Sequence, residues 1–364
     1  ESGDKRRRGD LRMVRGAEPF RAAGQTLEPM LKKGFCASHH SQISSSSLIA
    51  TLIKTRASDE FSITPGRVPP VTQRGRIFQF LLALLGKLPM GLNRSLGRGL
   101  GRLFRRLPNR TRDVARRNIE QCFPDLSSKQ REALARETMT QIGYGFLELP
   151  LFWRRTPDQT LSLISKIHGK PVFDAALAEG HGMLLAAPHL GAWELLCQYL
   201  STRGDCSFLY REAKDAGISE VITAGRERLG AEMVLAGASG VRRLFKATKE
   251  GRIVGILPDQ QPKGGQGEFA PFFGHQTLTM VLYSKLAQRS PAPLILAYAE
   301  RLAGGRTFDL HFVAGDPAIR DRDLSVSLGA LNAQIEGMVR ACPAQYQWGY
   351  KRFSIRPEGE AAFY

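Results

Sequence analysis

The sequence predicts an α/β domain in which helices cover both faces of a sheet. Two observations carry this prediction: short apolar segments that have the character of buried strands, and helical stretches that alternate with them. The chain has 364 residues, of which 42% are hydrophobic, so it can form a packed core. This composition excludes a wholly disordered, collagen-like or disulfide-stapled protein.

The predicted elements follow one another along the body of the chain. Ser127 is predicted to begin a helix, because Gln130 three residues later completes a capping box. Strands are predicted at 182–187, 253–257, 293–298 and 308–313. Helices are predicted around 192–202, 217–229 and 240–250. This alternation is the basis of the α/β assignment.

The positive charge of the chain is concentrated in one segment. The net charge is 52 − 34 = +18, which suggests an acidic partner such as nucleic acid, an anionic membrane, an acidic carrier protein or a phosphorylated substrate. Residues 74–117 hold 12 basic groups and one acidic group, or +11, whereas residues 118–364 hold 28 and 26, or +2. We therefore predict a basic segment at 74–117 in front of a nearly neutral domain at 118–364.

Residues 1–73 are predicted to be a disordered leader. They hold 12 basic and 7 acidic groups, or +5, and they lack sustained periodicity. A serine tract and a proline-rich end are typical of disorder. A transit peptide is a weaker alternative, because acidic residues interrupt the basic character. No function is assigned to this leader.

Residues 74–117 are predicted to anchor the protein to a membrane surface. The uncharged run 77–86 is far shorter than the roughly 20 residues that a spanning helix needs. Leucines recur every three or four residues from 81 to 107, and arginines recur about half a turn away at Arg94, Arg98, Arg102 and Arg105. A leucine face opposite a purely cationic face is typical of a monotopic anchor. The alternatives are packing of the leucine face on the core, and nucleic-acid binding, which no recognition motif supports.

The cysteines predict a reduced, cytosol-facing protein without a structural metal site. They are scattered, odd in number and form no Cys-x-x-Cys pair, at Cys36, Cys122, Cys197, Cys206 and Cys342. No metal ligand cluster and no glycine-rich nucleotide motif stand out.

The strongest candidate for chemistry follows the first predicted strand. There, His189 and Glu194 lie five residues apart across a strand-to-helix turn. The carboxylate is predicted to accept from one imidazole nitrogen, which leaves the other nitrogen as a general base. The carboxyl end of a strand is also where α/β sheets place their sites. The spacing alone is weak, since His311 and Asp316 repeat it, and a structurally satisfied histidine is the alternative.

Seven short motifs occur in a fixed order along the body of the chain. They are 117–119 (RNI), 122–124 (CFP), 188–194 (PHLGAWE), 210–211 (YR), 258–260 (PDQ), 271–274 (PFFG) and 346–353 (YQWGYKRF). Together they resemble the bacterial lipid A biosynthesis acyltransferase family, the late acyltransferases exemplified by the lauroyl and myristoyl enzymes. The resemblance runs from about residue 76 to residue 357 and does not include the leader.

This resemblance implies a function, a fold and a location. It implies transfer of a fatty acyl group from acyl carrier protein to a hydroxyl of a lipid A precursor, with no other cofactor and no metal. It implies a glycerophosphate-acyltransferase-like mixed sheet flanked by helices, with an N-terminal membrane-associated helix. The protein would lie at the cytoplasmic face of the bacterial inner membrane, as a monotopic or single-pass protein. A lysophospholipid or other glycolipid acyltransferase is the nearest alternative; a non-catalytic membrane protein and a thioesterase are more distant.

Within this interpretation, His189 is the base and Glu194 its partner. The amides of Leu190 and Gly191 are predicted to stabilise the oxyanion that forms on the attacked carbonyl. The residues predicted to serve the substrates are Arg211, Asp259, Lys351 and Arg352. For each of these, an ordinary surface or turn residue is the alternative. Gly349 and Tyr350 stand where the family often has a Leu-His pair, and this leaves the substrate subtype open.

Overall fold

A computed structural model describes residues 72–262, 266–304 and 306–364. These residues belong to one compact unit, in which the predicted anchor at 74–117 packs against the predicted domain at 118–364. The leader predicted at 1–73 lies outside the described residues, apart from its last two positions.

Helices pack on both faces of the main sheet. In chain order they are α1 (Gln73–Gly86), α2 (Met90–Arg106), α3 (Arg110–Cys122), α4 (Ser128–Arg154), α5 (Pro157–Leu161), α6 (Lys170–Ala178), α7 (Trp193–Ser201), α8 (Ala216–Glu227), α9 (Ala238–Lys249), α10 (Leu282–Ala287) and α11 (Leu324–Ala341). The predicted capping box is confirmed: the Ser127 amide donates to the Gln130 side chain at 2.9 Å, and the Gln130 amide donates to Ser127 Oγ at 3.3 Å. The three helices predicted between the earlier strands are confirmed as α7, α8 and α9.

The main sheet has seven strands in the order β1-β9-β8-β2-β5-β3-β4. The strands are β1 (Ile164–His168), β2 (Met183–Ala186), β3 (Cys206–Tyr210), β4 (Glu232–Leu235), β5 (Ile253–Ile256), β8 (Leu294–Arg301) and β9 (Phe308–Ala314). A separate antiparallel hairpin consists of β6 (Gly267–Phe272) and β7 (His275–Met280). The four predicted strands are confirmed as β2, β5, β8 and β9.

Strand direction determines where a site can form. The neighbouring strands β8, β2, β5, β3 and β4 are parallel to one another. Strand β9 is antiparallel to β8, and β1 is parallel to β9. The carboxyl ends of five strands therefore meet at one edge, which is where open α/β sheets bind their ligands. We call this the carboxyl edge of the sheet. His189 follows β2 there, Asp259 follows the adjacent β5, and Arg301 ends β8.

Two apolar layers form the core, one on each face of the sheet. Leu184 of β2 faces the layer that contains α3, α4, α10 and α11, whereas Leu185 faces the layer that contains α6, α7 and α8. Successive residues of a strand point to opposite faces, so one short strand contributes to both layers. Burying such a leucine contributes about 1.5–3 kcal/mol. The predicted mixed α/β sheet with helices on both faces is confirmed.

The leucine-rich stretch from 81 to 107 lies on two helices and not on the single helix predicted. Helix α1 ends at Gly86, and Pro89 precedes α2, because proline lacks the amide hydrogen that a continuing helix requires. The leucines of α2 are largely exposed, at Leu92, Leu96 and Leu103. The alternative in which this leucine face packs on the core is therefore wrong.

Helix α2 packs against α4 through a third face, which consists of small residues. A Cβ at Gly101 would lie 2.6 Å from a backbone carbon of α4, and one at Gly143 of α4 would lie 2.2 Å from the Gly97 carbonyl oxygen. Glycine lets two backbones approach this closely because it has no side chain. Gly97 and Gly101 weaken α2 as an isolated helix, but they allow it to pack closely against the domain.

The four arginines predicted to face lipid do not form one exposed row. Arg98, Arg102 and Arg105 are exposed, but Arg94 is only 3% exposed and is paired with Glu148 of α4. Of the helices in the described part of the chain, none has the length and apolar character needed to cross a membrane.

Candidate active site

The turn between β2 and α7 carries His189, and Asp259 holds it from the neighbouring strand end. The His189 backbone amide donates to Asp259 Oδ2 at 2.8 Å, and the His189 Nδ1 atom lies 2.8 Å from Oδ1 of the same carboxylate. Asp259 is 2% exposed. One buried carboxylate therefore orients both the backbone and the ring of His189.

This contact also defines the tautomer of His189. Burial alone would raise the pKa of Asp259, but the interaction with His189 and its hydrogen bonds outweigh burial and hold that pKa below its usual value. An ionised carboxylate only accepts hydrogen bonds, so Nδ1 carries the hydrogen. In the neutral ring Nε2 is then unprotonated, and the Gln260 side-chain amide lies 3.3 Å from it in position to donate. Nε2 is thus the nitrogen that can act as a base.

The predicted pairing of His189 with Glu194 is wrong, because Glu194 has other partners. Arg226 of α8 donates from Nε to both carboxylate oxygens at 3.1 Å, and Trp153 of α4 donates from Nε1 at 3.2 Å. Glu194 lies in the first turn of α7 and faces these two helices, whereas the His189 ring packs edge-on against Trp193. A catalytic role for Glu194 stays a prediction.

Arg226 is a residue of this site that the sequence did not reveal. Burial alone would lower the pKa of its guanidinium, but Glu194 outweighs burial and raises that pKa, so Arg226 is held in its charged form. No sequence signal joins the two residues, since Arg226 lies in the next helix, 32 positions further on.

The amides predicted to stabilise an oxyanion are already engaged. The Leu190 amide donates to the Pro188 carbonyl at 2.7 Å, and the Gly191 amide donates to the Gln345 carbonyl at 3.1 Å. The predicted oxyanion role of Leu190 and Gly191 is therefore wrong for this conformation of the turn. Gly191 instead permits a close approach: its φ is +64°, and a Cβ there would lie 1.9 Å from the Ala299 carbonyl oxygen.

Only part of the predicted substrate-binding set is brought together: the charges of Arg211, Asp259 and Arg352 all act on the Tyr350 hydroxyl. Asp259 contacts His189, as described above. Arg352 is buried, donates to the Leu278 carbonyl at 2.5 Å and to Thr279 Oγ1 at 3.0 Å, and so supports the hairpin instead of meeting a substrate phosphate. Arg211 is exposed after β3, and Lys351 lies 4.8 Å from the centre of the Tyr364 ring. A role in substrate binding stays a prediction for these last two residues.

A cavity of about 550 Å³ lies beside the His189 turn. One wall is apolar and comes from α2 and α4, with Phe104, Ile142, Phe146, Leu149 and Phe152. The opposite wall contains Trp193 and Gln260, both of which contact His189. A mostly apolar cavity with a few convergent polar groups is typical of a small-molecule site. Its apolar wall suits a ligand with a hydrocarbon part.

The fold thus places an oriented histidine, at the carboxyl ends of the strands, next to a mostly apolar cavity. The sequence profile described as bacterial lipid A biosynthesis acyltransferase matches residues 72–354, most of the chain, and the chain belongs to this family. The protein is therefore an acyltransferase, and the predicted family is confirmed.

Individual relatives also align with most of this chain. The lipid A biosynthesis lauroyltransferase of Escherichia coli strain K12 is 27% identical over 285 residues, which cover 78% of this chain and 92% of that protein. The palmitoleoyltransferase of the same organism is 27% identical over 289 residues with the same two shares. The myristoyltransferase is 22% identical over 264 residues, which cover 72% of this chain and 80% of that protein. These relatives are named for three different acyl groups.

Proposed function

We propose that this protein transfers a fatty acyl group from acyl carrier protein to a hydroxyl of a lipid A precursor, with His189 as the general base. The observation that carries this proposal is the His189–Asp259 pair at the carboxyl edge, next to an apolar cavity. Membership of the family supports acyl transfer in lipid A biosynthesis. The names of the relatives support fatty acyl groups as the cargo.

The reaction follows from the tautomer of His189. Nε2 removes the proton of the acceptor hydroxyl, and the hydroxyl oxygen attacks the thioester carbonyl. A new C–O ester bond forms, the C–S bond breaks, and the imidazolium returns its proton to the thiolate of the carrier. Asp259 stabilises the imidazolium, and Gln260 gives up its contact with Nε2 to the hydroxyl. A positioned base of this kind contributes about 10²- to 10⁴-fold in rate.

Glu194 stays in the proposal with a different role. Its carboxylate lines the cavity, and Arg226 balances its charge. It also follows Trp193, whose ring packs on His189. We infer that Glu194 holds the first turn of α7, and with it Trp193, against the imidazole.

The apolar wall of the cavity is the proposed site for the acyl chain. Phe104 and Phe146 pack edge to face there, with ring centroids 6.0 Å apart, and Phe146 is 57% exposed. The cavity therefore has an aromatic rim on the side of α2. A chain that enters past this rim has its reacting end near Trp193 and Gln260, where the base lies.

The surface formed by α1 and α2 is proposed to lie on an anionic membrane. Its exposed apolar side chains include Phe80 at 68% exposure, together with Ile77, Leu84, Leu92, Leu96 and Leu103. Arg98, Arg102 and Arg105 are exposed on α2 as well. Exposed hydrocarbon next to cations fits a monotopic arrangement at the cytoplasmic face of the inner membrane. Acidic carrier protein is the second proposed partner, and nucleic acid is not proposed.

The decisive experiment supplies purified protein with acyl carrier protein thioester and a radiolabelled tetra-acylated lipid A precursor, beside lysophosphatidic acid. We expect acylation of the lipid A precursor and a loss of about 10²-fold or more in His189→Ala. His311→Ala is the matched control, because His311 lies on β9 of the same sheet and contacts a different carboxylate, that of Glu300, at 2.9 Å. Glu194→Ala is expected to lower the rate too, since it leaves Arg226 without its anion. Unchanged turnover in His189→Ala would refute the mechanism, and preference for lysophosphatidic acid would favour the alternative substrate.

A further inference from the structure

We propose that Glu148 and Arg301 are positioning residues for the acyl transfer, and that they link α2 to the turn that carries His189. The reaction they serve is the one proposed above. The link is a chain of buried contacts that runs from Arg94 through Glu148 and Arg301 to the Gly191 carbonyl.

The centre of this chain is the Glu148 carboxylate in α4. Arg301 donates from Nε to both of its oxygens at 2.8 Å, and Arg94 of α2 donates to one of them. All three side chains are buried. Burial alone would raise the pKa of Glu148, but Arg301 and Arg94 outweigh it and hold that pKa below its usual value. The carboxylate is thus ionised between two guanidinium groups.

Arg301 connects the Glu148 carboxylate to the turn that carries His189. Its Nη2 donates to the Gly191 carbonyl at 3.0 Å, two residues from His189. The Gln345 side chain accepts from the Arg301 amide at 2.8 Å and donates to the Arg301 carbonyl at 2.9 Å. The Gln345 carbonyl in turn accepts from the Gly191 amide. Both polar groups of the Gly191 backbone are therefore tied to Arg301, directly or through Gln345.

Fold stability does not explain such an arrangement. Replacing a buried ion cluster with apolar residues is often neutral or stabilising, because desolvation offsets much of the attraction. Position does explain it, since a displacement of a catalytic group by about 1 Å can cost about 10² in rate. The chain of contacts starts on α2, whose other side is the exposed leucine face. The turn that carries the base is thereby fixed to the helix proposed to lie on the membrane.

The protein contains a control for this chain of contacts. Glu232 at the start of β4 also contacts two arginines: Arg243 donates to it at 2.5 and 2.6 Å, and Arg252 lies at 3.8 Å. Glu232 lies at the opposite edge of the sheet from His189 and outside the cavity lining. Its side chain is 33% exposed, against 1% for Glu148, so Glu232→Gln controls for loss of a carboxylate between two arginines, not for burial, and leaves the turn that carries His189 untouched.

The test compares Glu148→Gln, Arg301→Lys and Glu232→Gln in kcat, in KM for the acyl donor, and in amide hydrogen exchange of the peptide that covers 188–192. Arg301→Lys leaves the contact between Arg94 and Glu148 intact, but lysine lacks the planar fork that reaches Glu148 and Gly191 together. We expect both site variants to lose about tenfold or more in kcat, with KM changed less, and to exchange the turn amides faster. Glu232→Gln is expected to keep wild-type kcat and exchange.

Two outcomes would overturn the proposal. One is a folded Glu148→Gln or Arg301→Lys protein with wild-type kcat and wild-type exchange in the turn. The other is an equal loss in Glu232→Gln, which would indicate general destabilisation. The exchange measurement needs no substrate, so it tests positioning even if the wild-type protein fails to acylate the lipid A precursor, a result that would count against the proposed function alone.

Discussion

The carboxyl edge of the sheet and helix α2 depart from the usual distribution of polar and apolar residues in opposite directions. At the edge, Asp259, Glu194 and Glu148 are charged and buried, whereas α2 leaves Leu92 and Leu96 exposed to solvent. Buried charge and exposed hydrocarbon are both uncommon in soluble domains. Each departure therefore supports one of the proposed functions, which are chemistry at this edge and contact with lipid on the helix.

The largest effect on acyl transfer is expected from Asp259→Asn, which removes the buried negative charge that orients His189. An amide in place of the carboxylate no longer requires the hydrogen to be on Nδ1, so Nε2 is not held as the base. We expect kcat to fall by about 10²- to 10⁴-fold in the acylation assay. Asp309→Asn is the matched control, because Asp309 binds His168 at 2.8 Å in the same sheet, away from the cavity.

Asp259→Asn should also change how the free energy of unfolding depends on pH in the acidic range. The pKa of Asp259 is lowered on folding, so its stabilising contribution is present above its usual pKa of about 3.9 and is lost as the pH falls through the lower folded value. Urea unfolding of Asp259→Asn should show a shallower loss of stability over that acidic range. Equal acid sensitivity and undiminished kcat would together remove Asp259 from the site.

The second effect concerns the outward side of α2. Changing Arg98, Arg102 and Arg105 to Gln together should weaken binding to anionic vesicles by about 3 kcal/mol, or about 10²-fold, at about 1 kcal/mol for each arginine. Arg94 is left unchanged because it is buried. Sedimentation with vesicles, at low and high salt, measures this loss.

Helix α9 offers the control for that experiment. Arg242, Lys246 and Lys249 are exposed there without a neighbouring leucine face. Their change to Gln should leave vesicle binding nearly as it is. If both triple variants lose the same amount, binding depends on net charge and not on the α2 surface.

The smallest effect is expected on the inward side of α2. Gly101→Ala should destabilise the protein by about 1–3 kcal/mol, because its Cβ would press on the backbone of α4. Gly99 has no atom within 4 Å of its Cβ position, so Gly99→Ala should stabilise by about 0.5–1 kcal/mol through helix propensity. Thermal unfolding of the two variants separates these effects, and stabilisation by both would mean that α2 does not pack closely on α4.

Much of the fold was predictable from local patterns. Buried strands such as β2 and β5 are apolar runs between turns, and a capping box marks the start of α4, so their positions follow from neighbouring residues. The position of His189 was predictable for the same reason, since it directly follows a buried strand. Its partner was not, because Asp259 lies 70 residues away and reaches His189 only through the pairing of β2 with β5.

By itself, the sequence determined that an α/β domain follows a basic, leucine-rich segment and that a histidine lies at a strand end. These features depend on residues close together in the chain, whose periodicity and turn chemistry act locally. Tertiary structure decided which carboxylate orients His189, that Glu194 pairs with Arg226, and that Arg94 turns inward. These contacts join residues tens of positions apart, and only the order of strands and the packing of helices brings them within hydrogen-bond distance.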